Sequence, residues 1–332
     1  MIPPGKIPPD VLQRAVLSNL GKRRREVLVH AGLGEDSAVI DFGDFVAVLT
    51  TDPITGACRR AGWLGVHVCC NDVASNVAEP IGVLTTLLFP EGTTEDDVAR
   101  VVGEVNEAAN ELGIEVIGGH SEVTLGLSNL LLSVTAIGIA PKARYVTSAG
   151  ARPGDDIIVT KGVAIEGTAI LATDFEDELK SYFLEGDVQS AQRLYSRISV
   201  VRDGLVATKH GATALHDVTE GGIVGALYEL AQASGVGMDV WADSIPILPE
   251  TDTICRYYAI DPLRLIASGA MLVATPDGEA MVAHLDRDGI PATIIGRATD
   301  SGRRLIFGDH TEEIKPPERD ELWRVLEKKG RA

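Results

Sequence analysis

The sequence predicts a two-domain protein whose amino-terminal half is an α+β layer, and three observations predict it. The chain has 332 residues, 45% of them hydrophobic, which is enough for two cores of ordinary size. Hydrophobic periodicity in the first half alternates between the strand period of two and the helix period of 3.6, in the order strand, strand, helix, strand, helix, strand, strand. Near residue 150 the text changes to SAGARPGDDIIVTKG, a glycine and proline hinge that leads into a new strand. Domains are therefore expected over residues 1–148 and 149–332, the first with its helices on one face of the sheet.

The elements follow in order. After a proline-rich start, residues 11 to 20 read as a short amphipathic helix. In HAGLGEDSAVIDFGDFVAVLTTDP, glycine turns separate two strand-like runs, which puts Asp36 in a turn and Asp52 just beyond a strand. Residues 63 to 79 read as a helix stopped by Pro80, with Asn71 and Asp72 inside it, and IGVLTTLLF reads as a buried strand. Thr94 before Glu95, Asp96 and Asp97 is a helix start, because a hydroxyl accepts the free N–H groups and acids suit the positive end of the dipole. Val98, Val101, Val102, Val105, Ala109 and Leu112 then give one apolar stripe before Gly113. IEVIGG and LLLSVTAIGIA complete the unit. Beyond the hinge, a long helical pattern runs from Asp187 to Lys209. Another helix follows Gly222, with Ile223, Leu227 and Leu230 on one face, and strands lie near 270–275, 291–296 and 303–308.

Thirty basic and 48 acidic residues leave a formal charge of -18, which repels nucleic-acid phosphates and anionic membrane surfaces. The one basic cluster, Lys22 to Arg25, reads as a solvated helix end. Cys58, Cys69, Cys70 and Cys255 show no C-x-x-C spacing, so neither a disulfide framework nor a zinc site is indicated and reduced thiols are expected. Met1 to Lys6 lacks the layout of a signal peptide, and no apolar run approaches the ~20 residues of a membrane span. The expectation is a soluble, cytoplasmic protein without a nucleic-acid or membrane partner.

Several acids lie among apolar residues and glycines: Asp36 in GLGEDSAV, Asp52 in LTTDP and Asp72 in CCNDVAS. A buried carboxylate is costly unless it is paired or binds a cation, and hard cations such as Mg2+ commonly bridge carboxylates to phosphates. Taken singly, each has a structural reading as a turn cap, a loop closure or a polar face residue. VIGGHSEV offers two glycines whose backbone N–H groups can approach an anion, followed by His120, Ser121 and Glu122; it also reads as a turn with surface polar residues. In HDVTEGGI, Asp217 and Thr219 precede Gly221 and Gly222 at a helix start, which suits either a phosphate or a helix cap. No P-loop, Rossmann fingerprint or nucleophile elbow is present.

In this order, GEDSAV, TTDP, NDVASNVAEP, GGHSEV, GDDIIVTKG, HDVTEGGI and DPLRLIASGAML resemble the superfamily of aminoimidazole ribonucleotide synthetase and the hydrogenase maturation factor HypE, over about residues 32 to 296. The resemblance implies an amino-terminal α+β domain whose sheet pairs with a second subunit in a homodimer, a carboxy-terminal α/β domain with a mixed sheet, and ATP in the cleft between them. It implies Asp36, Asp52, Asp72 and Asp217 as Mg2+ and phosphate-site acids. Asn71, Gly118, Gly119, His120, Lys161, Thr219, Gly221 and Gly222 are the implied nucleotide-binding residues. His120 stands where relatives carry an acid and is the one candidate catalytic group.

Members of this superfamily use ATP to phosphorylate an amide-type oxygen, which then leaves as phosphate; the acids act as ligands rather than bases. The chain ends LEKKGRA and its last cysteine is Cys255, so the carboxy-terminal cysteine that the maturation factor modifies in itself has no counterpart. Selenophosphate synthetase would place a cysteine in the early glycine-rich segment, and thiamine-monophosphate kinase lacks a stretch like HDVTEGG. KIPPDVL and TTDPITGA look most like HypE-like proteins of undefined substrate. The expected function is Mg2+- and ATP-dependent phosphorylation or dehydration of a carboxamide on a small molecule or a partner protein. An ATP-binding sensor without turnover and a true aminoimidazole ribonucleotide synthetase are the alternatives.

Overall fold

The computed structural model describes residues 5–330; Met1 to Pro4 of the stretch read against a signal peptide, and Arg331 and Ala332 at the end of the second domain, lie outside the described residues. Among the described residues no helix is long and apolar enough to cross a membrane. The helix expected over residues 11 to 20 is shorter: a single turn, α1 (Pro9–Val11), widens into a π turn over Leu12–Val16.

Strands β1 (Val27–Val29), β2 (Ala38–Asp41) and β3 (Phe45–Ile54) lead to helix α2 (Ala61–Ser75), then β4 (Glu79–Phe89), α3 (Glu95–Leu112), β5 (Glu115–Val123) and β6 (Leu131–Pro141). The six strands form one sheet in the order β1-β2-β3-β6-β4-β5. The order of elements is the expected one with the short β1 added. The two helices pack on one face of the sheet. Helix α3 is fixed as its sequence reads: Thr94 and Asp97 exchange side-chain to backbone bonds in a capping box, and Gly113 ends it at φ 68°. Helix α2 has no polar face, because it is buried on every side between the sheet and the second domain.

Two boundaries differ from expectation. Helix α2 ends at Ser75, where Val77 turns the chain at φ 63°, and Pro80 lies inside β4 at a register shift, a place where a missing N–H is tolerated. Strand β3 runs past Asp52 to Ile54, so Asp52 is a strand residue paired with Val134.

The second half contains β7 (Asp156–Thr160), α4 (Ile165–Asp174), α5 (Glu176–Lys180), α6 (Glu185–Gln192), α7 (Val201–Lys209), β8 (Ala214–Asp217), α8 (Gly222–Ser234), β9 (Gly237–Trp241), α9 (Pro249–Tyr258), β10 (Met271–Thr275), α10 (Gly278–Arg287), β11 (Ala292–Thr299), β12 (Arg303–Phe307), β13 (His310–Glu313) and α11 (Glu321–Lys328). Its seven-stranded sheet has the order β13-β12-β9-β11-β7-β10-β8 and is mixed, with β9 and β12 parallel. The single helix expected from Asp187 to Lys209 is broken between α6 and α7 by a tight turn, Arg193–Arg197. One apolar cluster joins Leu64 and Val73 of α2 to Ile170 and Leu171 of α4 and to Leu322 and Leu326 of α11, so the two halves share a core at their junction.

Candidate functional site

The junction holds an open cavity of about 740 Å3, with Asp36, Asp52 and Asp72 contributed by the first half and Thr219, Glu220 and Ser268 by the second. Strand alternation sends Thr50 and Asp52 to the α2 side of β3. The Thr50 hydroxyl donates to Asp72 Oδ2 at 2.6 Å. Burial, reinforced by the charges of Asp217, Asp52 and Asp36, holds the Asp72 carboxyl well above the usual carboxylate range. One turn on in α2, Ser75 donates to Asp217 Oδ1 at 3.3 Å. Asp217 Oδ2 is buried with no hydrogen-bond partner. Burial, and then the charge of Asp36, pushes this carboxyl up to about 8 against the pull of His216.

Asp36, in the loop before β2, accepts from His216 Nδ1 at 2.9 Å and from Ser148 Oγ at 3.2 Å. His216 is buried in β8, which by itself would lower its pKa; Asp36 and Glu229 outweigh that and raise it to about 10. Its two ring nitrogens lie against carboxylates, Nδ1 against Asp36 and Nε2 against Glu229, a setting that favours the imidazolium, and Glu229 also takes the Lys6 ammonium at 2.6 Å. The four expected acids thus lie close enough to repel one another, Asp36, Asp52 and Asp72 lining the cavity and Asp217 buried behind it.

The donor set suits a hard cation: oxygen ligands, one of them an unpartnered buried carboxylate oxygen. Among the described residues no three His, Cys, Asp or Glu side chains form a ready metal cage.

Other expected site residues are placed differently. Thr219 lines the cavity. Asn71 does not face it: its amide donates to Ile198 O at 2.9 Å and accepts from Val200 N at 2.8 Å, bracing α2 against the second domain. Lys161 is also engaged elsewhere, its ammonium donating to Ser199 O at 2.6 Å and Arg197 O at 3.1 Å beside Asp203. The free N–H groups expected at the start of α8 are taken, that of Gly221 by Asp320 Oδ2 at 2.6 Å and that of Gly222 by Thr219 O at 3.1 Å. Gly118, Gly119 and His120 lie on the sheet-edge strand β5. The pairs Asp52–Val134, Val134–Thr85 and Thr85–Gly119 put Gly119 three strands from Asp52, roughly 14 Å at ordinary strand spacing. His120 is exposed and pairs with Glu122 at 3.0 Å, so within one chain these three residues stand apart from the acids.

His216, Glu229, Thr50, Ser75, Glu166 and Ser268 carry no expected role. His216 is adjacent to Asp217 in HDVTEGGI, and that charge-bearing pair is a signal in the sequence. Glu229 and Glu166 give none, since each sits in a helix where an acid is ordinarily solvated.

The profile of the AIR synthase related protein, N-terminal domain, matches residues 34–140, and that of the C-terminal domain matches residues 152–307. A Methanocaldococcus jannaschii protein, provisionally named a hydrogenase expression/formation protein, is 31% identical over 91% of this chain and 91% of its own. The carbamoyl dehydratase HypE of Cupriavidus necator is 30% identical over 74% of this chain and 69% of its own. The crystal structure of a hydrogenase maturation protein HypE in complex with ATP superposes with a TM-score of 0.71, at 20% identity over 94% of this chain and 95% of that one.

Proposed function

The chain belongs to the AIR synthase related family, and from that premise we propose that it is an ATP- and Mg2+-dependent enzyme of the carbamoyl dehydratase type, which phosphorylates or dehydrates an amide-type oxygen. The observation that carries this reading is the gathering of half-buried Asp36 and Asp52 with buried Asp72 and Asp217, whose mutual repulsion the His216 side chain offsets only in part. A folded chain retains such an arrangement where a bound cation relieves it. The relative named carbamoyl dehydratase and the ATP complex of a structural neighbour support the same direction.

In this reading Asp52 and Asp72 hold the metal on the α2 side and Asp36 and Asp217 face it from the other. Mg2+, when bound, supplies charge neutralisation for the phosphoryl group in transfer. The chain's own residues do the positioning: Thr50 orients Asp72, Ser75 orients Asp217, and His216 fixes Asp36. The protein works as a homodimer that pairs through the amino-terminal sheet, whose second face among the described residues carries no helix.

Calorimetric titration with ATP, with and without Mg2+, tests the reading. Wild type binds only with the metal, and Asp72→Asn binds about a hundredfold more weakly, as loss of a buried charged partner implies. Equal binding without Mg2+, or by the variant, overturns the assignment. Phosphate analysis of the same samples separates turnover from simple sensing.

A further inference from the structure

The cavity is walled by acids, Glu35, Asp36, Asp52, Asp72, Glu166 and Glu220 among them, and Lys6 is the one basic residue among the lining residues described. Even with Mg2+ bound, a triphosphate keeps net negative charge, and acid walls repel it unless a cation faces it. Lys161, the lysine expected at the nucleotide, is held by the carbonyls of Arg197 and Ser199. Lys6 is placed differently. Its N–H donates to Glu220 Oε1 at 2.9 Å, the same oxygen that accepts the Trp323 indole N–H at 2.9 Å. Gly5 before it, at φ 113°, lies so close to this pair that a Cβ would come within 2.6 Å of Glu220 Oε1 and 2.9 Å of Trp323 Nε1. The backbone is thus docked at the cavity wall, but the side chain is 52% exposed, with its ammonium on Glu229 Oε1 at 2.6 Å. An ion pair at that exposure is weak, so giving it up costs little. Glu229 keeps a second partner in His216 Nε2 at 3.3 Å.

We propose that Lys6 is the cation that meets the nucleotide's phosphates: its ammonium exchanges Glu229 for a phosphate oxygen when Mg2+-bound ATP occupies the cavity, while Gly5 and the Lys6 backbone stay docked on Glu220. The inference rests on the cavity being an ATP site and adds to that reading the residue that supplies the positive charge the acid walls lack. Glu229 and His216 link the ammonium to Asp36, so it stands on the side of the cavity where the expected metal acids gather. A compact charge on a flexible stem suits such an exchange, because it turns from one acceptor to another without a fixed planar geometry to match.

Reductive methylation of the full chain with 13C-formaldehyde keeps each lysine charged and gives it an NMR signal, and the signal missing from Lys6→Arg is that of Lys6. Mg2+ with inorganic triphosphate, and separately Mg2+ with ATP, should move that signal beyond the position Mg2+ alone gives it. Calorimetry supplies the second readout. Lys6→Met should bind Mg2+-ATP about tenfold or more weakly than wild type, and Lys6→Arg, which restores the charge, within about threefold of it. A Lys6 signal that stays in place in a sample saturated with Mg2+-ATP overturns the proposal, and so does equal affinity in a folded Lys6→Met. The signal decides the matter where Lys6→Met fails to fold. A wild type that binds no nucleotide overturns the ATP reading and this inference together, whereas nucleotide binding with Lys6 unmoved overturns this inference alone.

Discussion

Asn71 and Asp72 are adjacent in α2, and the structure gives them different tasks. The Asn71 amide satisfies a carbonyl and an N–H in the stretch between α6 and α7, far away in sequence. Truncation to alanine leaves two buried backbone groups without partners, so Asn71→Ala should destabilise the protein by about 2–4 kcal/mol in denaturant unfolding. Mg2+-dependent ATP affinity should remain within about threefold of wild type where the variant is folded, since Asn71 does not line the cavity. A variant of wild-type stability that fails to bind ATP would return Asn71 to the nucleotide. The acids were legible in the sequence because a carboxylate among apolar residues and glycines conflicts with its surroundings wherever it is met. The task of Asn71 was not, because an amide inside a helix gives no sign of a partner 129 residues away.

Among the elements, the break between α6 and α7 shows the same limit. The stretch from Asp187 to Lys209 holds no proline and carries a helical pattern, yet the carbonyl of Ile198 and the N–H of Val200 go to Asn71 rather than to a helical ladder. Tertiary pairing overrides local preference there. Helix α11 depends on another long-range contact: Asp320 accepts the N–H of Leu322 at 2.8 Å, as a helix cap does, and that of Gly221 at 2.6 Å, tying α11 to the start of α8. Burial raises the Asp320 carboxyl to about 7, above its ordinary 3.8, with the N–H bonds opposing. The folded state therefore holds this proton more tightly than the unfolded one. The stabilisation from that proton is full below about pH 4 and is lost as pH rises through about 7. Thermal melts followed by the fluorescence of Trp323, which lines the cavity, should show wild-type stability falling between about pH 4 and about pH 7, and Asp320→Asn falling less. Parallel curves would show that Asp320 does not titrate in that window.

For the whole molecule, one sequence feature fits a single chain poorly. IGVLTTLLF reads as a strand buried on both faces, whereas in β4 only the residues turned toward the helices are buried; Ile81 is 46% and Leu84 38% exposed. Ile139 of β6 and Val116 and Ile117 of the edge strand β5 are exposed in the same sheet. A continuous apolar sheet surface ending in an unpaired edge is a liability for a monomer and an interface for an oligomer. A second copy of the chain on that surface would make β4 the doubly buried strand that its sequence describes and would give the exposed strand carrying Gly118, Gly119 and His120 a partner. The net charge of -18 opposes association of two copies, so salt should strengthen it by screening while the apolar contact supplies the attraction. Sedimentation velocity of the wild type should therefore give a species of twice 35.2 kDa, more fully populated at high salt. Leu84→Glu, which puts one more negative charge into the apolar surface, should sediment as a single chain with its fold intact by circular dichroism. A wild type that sediments at 35.2 kDa across the salt range would show that the surface has some other partner or none.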